Sequence, residues 1–371
     1  MTPARSRSLR VAVLGAAGTI APAILRDLAV SEEVESMLLL DLDGERAAAA
    51  ASAHGGGKST SRAVDARNVD ELQEVLEDAD VLVNTASYRI NLDAMSACLK
   101  SGCNYLDLGG LYWVTRTERE LSPEFERTGL LAILGIGSAP GKTNLMAQAA
   151  VRELRARGKE IESIEVAAAG RDPVASSDGR LRPPYAIQTL LDELTLQPVV
   201  IRDDQPVQIE PLSDGGTIAY GDPIGRAETI FTLHSELATF AESFGCRNAS
   251  FRLSLSPPLL AALKELVGTS EEEVAAAARE AAAPSNETVS VHLVTATAPD
   301  GERIKVRAVT HPHFGLGGSI VSTAAPAAAS VRLLARGSLT ATGALPPEQC
   351  IEAPEMFAEL ESRGCAFTVE R

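Results

Sequence analysis

Short unbroken runs of Val, Leu, Ile and Ala recur through the first 145 residues. Between them, apolar positions return every three or four residues. Runs of four to six apolar residues suit strands buried on both faces, and the longer periodic stretches suit helices packed against them. The pattern predicts strands over residues 10–14, 37–42, 61–64, 81–85, 105–108 and 130–134. It predicts helices over 20–30, 69–76 and 92–101. Such alternation specifies an α/β fold built on a parallel sheet covered on both faces, of the Rossmann type.

After residue 145 the pattern changes. A helix is expected over 144–157 and a strand over 161–168. A Pro-, Ser-, Asp- and Gly-rich loop covers 171–184, and a helix 185–194. Residues 198–201 and 206–209 read as a hairpin around Asp203-Asp204-Gln205, and 248–255 as a strand. Thr269 and Ser270, with Glu272 and Glu273 three residues on, form overlapping capping boxes for a helix reaching Ala282. Strands over 288–297 and 304–309 flank the turn Pro299-Asp300-Gly301. Hairpins imply a mostly antiparallel sheet. The expected organisation is therefore a dinucleotide-binding domain over 1–145 and an α+β substrate and dimerisation domain over 146–312. The C-terminal helices over 313–371, with a small-residue helix at 322–334, would return to the first domain. The first eight residues are expected to be a loose tail.

Composition narrows the function classes. The 371 residues carry a formal net charge of −16, so a nucleic-acid binder, which needs a basic face, is not expected. Five cysteines are scattered without C-x-x-C spacing. Cys98 and Cys103 read as buried thiols rather than zinc ligands, which suits a reducing cytoplasm. No apolar run reaches the roughly 18 residues of a membrane span, and VAVLGAAG is too short and glycine-broken for a signal core. A cytoplasmic protein without membrane partners is expected, acting as a homodimer.

The chemistry begins at residues 10–43, RVAVLGAAGTIAPAILRDLAVSEEVESMLLLDLD, which run strand, glycine turn, helix, strand, acid. That order marks a dinucleotide-binding βαβ unit, although the spacing Gly15-x-x-Gly18-x-x-Ala21 departs from G-x-G-x-x-G. Gly15 allows a sharp turn, Gly18 lets backbone approach a pyrophosphate, and Ala21 keeps the helix close to the sheet. The cofactor contacts are expected from Gly15, Ala17, Gly18, Thr19 and Ile20. Asp41, ending the second strand, would accept a ribose 2′-hydroxyl and repel a 2′-phosphate, favouring NAD over NADP; Arg46 would work against that preference. Asp65 either reaches an adenine or is a solvated strand end. Asn84, Thr85 and Ala86 close the fourth strand under the pyrophosphate and nicotinamide ribose. Asp107-Leu108-Gly109-Gly110 closes the fifth, with glycines suited to a nicotinamide ring. Residues 135–143, GIGSAPGKT, imitate a P-loop, but Ile136 stands where the motif needs glycine and Pro140 removes an amide. A loop into the following helix, with Lys142 available to an anionic substrate group, is the better reading.

These segments, together with DVLVNTASY, NYLDLGG, LGIGSAPGKTN, PPYAIQTLLDEL, HSELATF and GALPPEQCIEAPEMFAELESRG, resemble the saccharopine dehydrogenase family, most closely its L-lysine 6-dehydrogenase-like branch. The resemblance runs from about residue 10 to about 365. It implies a Rossmann domain joined to an α/β substrate domain, and oxidation or formation of C–N bonds with NAD(P). It also implies a substrate pocket lined by Tyr88, Gly110, Lys142, Thr143, Asn144, Tyr185, His234 and Glu236. The glycine turn is one residue longer than in that branch, and loop 171–184 and residues 317–326 do not follow its pattern.

The expected reaction is oxidative deamination of a lysine-like side-chain amine by hydride transfer and imine hydrolysis. The alternatives are reductive condensation of an amine with a carbonyl compound and a non-catalytic NAD-binding regulator. The amine must be neutral to give up hydride, which calls for a nearby base, and His234 is the first candidate. It could equally be a structural histidine holding a backbone carbonyl. Glu236 either holds a substrate ammonium or is an exposed acid. Lys142 would hold an α-carboxylate. Tyr185 and Tyr88 read as pocket walls. No metal is expected, and His311 and His313 read as structural.

Overall fold

The computed structural model describes residues 7–174 and 180–371. Most of the expected N-terminal tail (residues 1–6) and part of the expected loop 171–184 (residues 175–179) lie outside the described residues. The chain divides into two compact units. One comprises Met1–Lys142 and Thr323–Glu359; the other comprises Thr143–Ser322 and Leu360–Arg371.

The first unit holds a seven-stranded parallel sheet. Numbered in chain order, its strands are β1 (Leu9–Leu14), β2 (Val34–Asp41), β3 (Ser59–Ala63), β4 (Val81–Asn84), β5 (Asn104–Asp107), β6 (Leu131–Ile133) and β15 (Gly343–Leu345). The spatial order is β15-β6-β5-β4-β1-β2-β3, so successive strands run outward in opposite directions from β1. A ligand is expected in the crevice at that reversal, beyond the carboxyl ends of β1 and β4. The Val and Leu runs of β1, β2 and β4 are buried on both faces, as their unbroken apolar pattern predicts.

Three helices and one strand escape the periodicity. Gly44–His54 is largely alanine and shows no apolar stripe. It is recovered from its cap, since the Asp43 side chain accepts from the Glu45 and Arg46 amides. Leu111–Arg119 and Ser122–Thr128 are short and polar-rich. β15 has only three residues and becomes a strand by pairing with β6.

The second unit holds a nine-stranded sheet. Its members are β7 (Ser163–Arg171), β8 (Val199–Arg202), β9 (Gln205–Gln208), β10 (Asp214–Gly221), β11 (Gly225–Phe231), β12 (Asn248–Ser254), β13 (Val289–Thr297), β14 (Arg303–Thr310) and β16 (Cys365–Glu370). The main path is β10-β11-β12-β7-β13-β14-β16, with β8 on β12 and β9 on β8. The β7–β12 pair is parallel and the other pairs are antiparallel. The β8–β9 turn places Asp203 and Asp204 at φ 47° and 67°, the geometry a two-residue hairpin needs. Ser270 and Glu273 complete the expected capping box.

The β10–β11 hairpin is not legible in the sequence, because glycines and a register shift break its alternation. Its end folds over the sheet, and Ile218, Tyr220, Ile224 and Ala227 pack against Ala167, Ala169, Val291 and Val309. The C-terminal tail also departs from the expected helices returning to the first domain. Residues 360–371 belong to the second unit, where β16 pairs with β14.

Among the described residues one helix, Gly318–Ala335, is 18 residues long and apolar enough, by length and composition, to cross a membrane. Since 83% of it is buried inside the protein, it is read here as a core helix.

Candidate functional site

The glycine turn of the first unit has the features of a nucleotide cradle. Gly15 sits at φ 76°, and a Cβ there would stand 2.7 Å from the Ala86 amide nitrogen. A Cβ on Gly18 would meet the Gly15 carbonyl at 3.0 Å. The Thr85 hydroxyl donates to the Leu14 and Gly15 carbonyls at 2.8 and 3.0 Å, tying the β4 end to the turn. The helix Ala21–Ala29 begins without a side-chain cap; Pro22 carries no amide and the Ala23 amide donates to the Ile20 carbonyl, so the Ala21 amide is the first-turn donor left to face an anion. Gly18 and Thr19 are exposed, whereas Ile20 is buried and can offer only backbone. This arrangement fits a dinucleotide pyrophosphate.

Asp41 accepts from the Ala17 amide at 3.0 Å and the Asp43 amide at 3.2 Å, so it braces the turn. The Arg46 guanidinium donates to the Ala17 carbonyl at 2.9 Å. Asp65 is exposed and accepts from the Arg67 amide, the pattern of a solvated strand end. Asn84 is buried. Its side chain accepts from the Ala86 amide and donates to Asn91 and Tyr105, so any nucleotide contact there falls to backbone. Asp107 accepts from the Gly109 and Gly135 amides at 2.7 and 2.8 Å, which shapes the Leu108–Gly110 turn. Gly110 stands at the N-cap of Leu111–Arg119. Tyr88 opens a short 3-10 turn, with the Arg89 guanidinium 4.8 Å from its ring centre.

The near-P-loop is closed on itself. The Gly137 amide donates to the Pro140 carbonyl and the Lys142 amide to the Gly137 carbonyl. Amides spent in this way cannot form a phosphate nest. Lys142 opens the helix Lys142–Ala156 and is buried, with Thr143 and Asn144 following it, also buried.

The second unit contains a buried polar cluster around His234. Its Nε2 lies 3.6 Å from Glu193 Oε2 and its Nδ1 lies 3.3 Å from Glu236 Oε2. Its ring stacks on Phe251 with centres 3.5 Å apart. The Tyr185 hydroxyl donates to Glu193, and the Thr143 hydroxyl donates to Glu236 at 2.7 Å. Helix Ile187–Thr195 presents Glu193; His234 and Glu236 lie at the start of the 3-10 turn Ser235–Ala238; β12 carries Phe251. Burial alone would push the His234 pKa down, but the two carboxylates outweigh it and raise it to about 9. The two carboxylates thus favour the imidazolium form of His234 over the neutral base expected from the sequence. The stacked phenyl face also suits a cation. Glu236 is fully buried, which removes the reading of an exposed acid. Tyr185 is held protonated by burial and by Glu193.

The structure thus brings Tyr185, His234, Glu236 and Thr143 together and adds Glu193 and Phe251, which sequence reasoning missed. Glu193 falls on the buried face of an amphipathic helix, and an acid in an apolar stripe was the available signal. His313 packs edge-on against Phe314, and no group of three metal-ligating side chains occurs among the described residues.

A parallel sheet reversing at β1, a glycine turn against an uncapped helix and an acid ending β2 define a nicotinamide-dinucleotide-binding protein of dehydrogenase architecture. Residues 11–133 match the family model described as the saccharopine dehydrogenase NADP binding domain. Carboxyaminopropylagmatine dehydrogenase of Synechocystis sp. is 26% identical over 267 residues, covering 69% of this chain and 65% of the relative. Carboxynorspermidine synthase of Vibrio alginolyticus is 28% identical over 121 residues, covering 29% of this chain and 28% of the relative. The matches thus span less than two thirds of either relative. In fold, the chain is similar to apo saccharopine dehydrogenase (L-Glu forming) from Saccharomyces cerevisiae, with a TM-score of 0.70 at 15% identity over 98% of this chain and all of the other. It is also similar to a homospermidine synthase from Legionella pneumophila in complex with NAD, with a TM-score of 0.74 at 12% identity over 97% and 91%.

Proposed function

We propose that the chain is an NAD(P)-dependent oxidoreductase that forms or breaks a C–N bond at an amine, with reductive condensation of an amine and a carbonyl compound as its working direction. The observation that carries this reading is the Glu193–His234–Glu236 cluster. Two acids flank one imidazole in a buried site, a lining that suits a cationic amine better than an anion.

The bound nicotinamide would supply the hydride. The chain's own residues hold the substrate and manage its protons. An amine adds to a carbonyl carbon, and the resulting carbinolamine loses its hydroxyl as water to give an iminium. His234, charged at neutral pH, is suited to donate the proton that turns the hydroxyl into water. Glu193 and Glu236 are suited to stabilise the iminium cation, and Thr143 orients Glu236. The hydride that a bound nicotinamide would supply to the iminium carbon would leave a secondary amine. The curated relatives, a polyamine-related dehydrogenase and synthase by name, support an amine substrate that also bears a carboxylate. Lys142 is the residue assigned to that carboxylate. Oxidative deamination of a lysine-like amine is the second reading, favoured by the resemblance of the Asp-Leu-Gly-Gly and Ala-Pro-Gly-Lys-Thr-Asn segments.

The test follows NADH and NADPH consumption with diamines or diamino acids offered together with aldehydes, and NADH production with each amine alone. Turnover only with an amine and a carbonyl together supports condensation; turnover with lysine-like amines alone supports the second reading. No turnover in either direction overturns both and leaves a nucleotide-binding regulator. Asp41 favours NAD, so tighter NADP binding would reassign the adenosine end to Arg46.

A further inference from the structure

A second buried acidic cluster lies in the nucleotide-binding unit and plays no part in the chemistry above. Glu118, on helix Leu111–Arg119, has none of its surface exposed, and Asp107 has 1%. Glu118 Oε1 accepts from Asn91 Nδ2 at 2.6 Å, and Asn91 in turn accepts from Asn84. Asp107 Oδ1 takes the Gly109 and Gly135 amides. The second oxygen of each carboxyl, Asp107 Oδ2 and Glu118 Oε2, is buried without a hydrogen-bond partner, as is the Thr115 hydroxyl. Two buried carboxylate oxygens without a hydrogen-bond partner are costly when charged, and a bound proton removes much of that cost.

The two acids also bracket one turn. Asp107 holds the Gly109 amide, and both Glu118 oxygens lie 3.0 Å from where a Gly110 Cβ would stand. We propose that Asp107 and Glu118 are positioning residues that carry a single proton between them and hold the Gly109–Gly110 turn from both sides. The proton is assigned to Glu118. Asp107 is supported in its charged form by the Gly109 and Gly135 amides and by Tyr105, whereas Glu118 is supported by Asn91 and Thr115 and faces the charge of Asp107. The groups facing the pair are Tyr105, Asn91, Thr115 and each other, and none is cationic. Burial, then the nearby Asp107, raises Glu118 well above the carboxylate range, and burial raises Asp107 to about 6.

The inference rests on the nucleotide-binding reading only for the turn's purpose, so one measurement is made without nucleotide. In the full chain at pH 7.5, the infrared spectrum of wild type minus Glu118→Gln should contain the carbonyl stretch of a protonated carboxyl, shifted in D2O. Glu118→Gln should leave hydrogen exchange at the Gly109 and Gly135 amides close to wild type, because the amide replaces a neutral acid and Asp107 still accepts from both. Asp107→Asn should speed hydrogen exchange at the Gly109 and Gly135 amides and weaken NADH about tenfold, the equivalent of one pKa unit. Absence of the protonated-carboxyl band overturns the proposal even where nucleotide binds well. So does faster exchange at the Gly109 and Gly135 amides in Glu118→Gln, which would mean that Glu118 acts as a charge. Should wild type bind neither NADH nor NADPH, the nucleotide reading fails while the band and the exchange rates still decide the pair.

Discussion

At the scale of single residues, His234 shows why residue type alone does not give a protonation state. At His234 burial opposes the charged form, and the attraction of two carboxylates outweighs it. His234→Ala would leave Glu193 and Glu236 as buried carboxylates without their cation. A loss of about 3–5 kcal/mol in unfolding free energy is expected, checked by denaturant titration at neutral pH. The pH dependence has a definite sign. The folded-state pKa of about 9 lies above the ordinary histidine value of 6.5, so the stabilisation is fully present below pH 6.5 and is lost as pH rises through 9. The stability gap separating wild type from His234→Gln should shrink across that window; a gap independent of pH would show that His234 is neutral. Gly15 is the other residue-scale test. A left-handed φ costs a non-glycine residue about 1–2 kcal/mol, before the clash with Ala86. Gly15→Ala should therefore weaken nucleotide binding by about tenfold or more, read by NADH fluorescence titration.

At the scale of elements, legibility followed the strength of local signals. The helix at 69–76 and the β13–β14 hairpin were readable because a polar cap or turn frames a clear apolar period. The helix Glu271–Glu280 rests on its capping box more than on burial, since Val274 is its one buried side chain. Ser270→Ala should accordingly cost about 1 kcal/mol, seen as a lower thermal midpoint with no change in nucleotide affinity. The β10–β11 hairpin was hidden because its apolar residues find their partners on β7, β13 and β14, far away in sequence.

At the scale of the whole molecule, neither unit is a continuous stretch of chain. The first needs residues 323–359 to supply β15, and the second needs residues 360–371 to supply β16. Removing residues 360–371 would strip the β14 edge of its six paired positions and expose the unit-2 sheet. The truncated chain should lose thermal stability and gain a tendency to aggregate while still binding NADH. Loss of NADH binding on this truncation would show that the two units do not fold independently at that edge.

The sequence by itself determined the nucleotide-binding half: the parallel sheet, the turn at Gly15 and the acid at Asp41. Those features are local, set by hydrophobic periodicity and by backbone conformations that only small residues adopt. It also supplied His234, Glu236, Tyr185 and Thr143 as candidates, through a family resemblance. Only the tertiary structure decided what they are. Glu193 joins His234 from a helix some forty residues earlier in the chain, and the charge of His234 follows from two carboxylates that meet it only after folding. Electrostatic energy depends on distance and burial in three dimensions, and no local pattern in the chain records either.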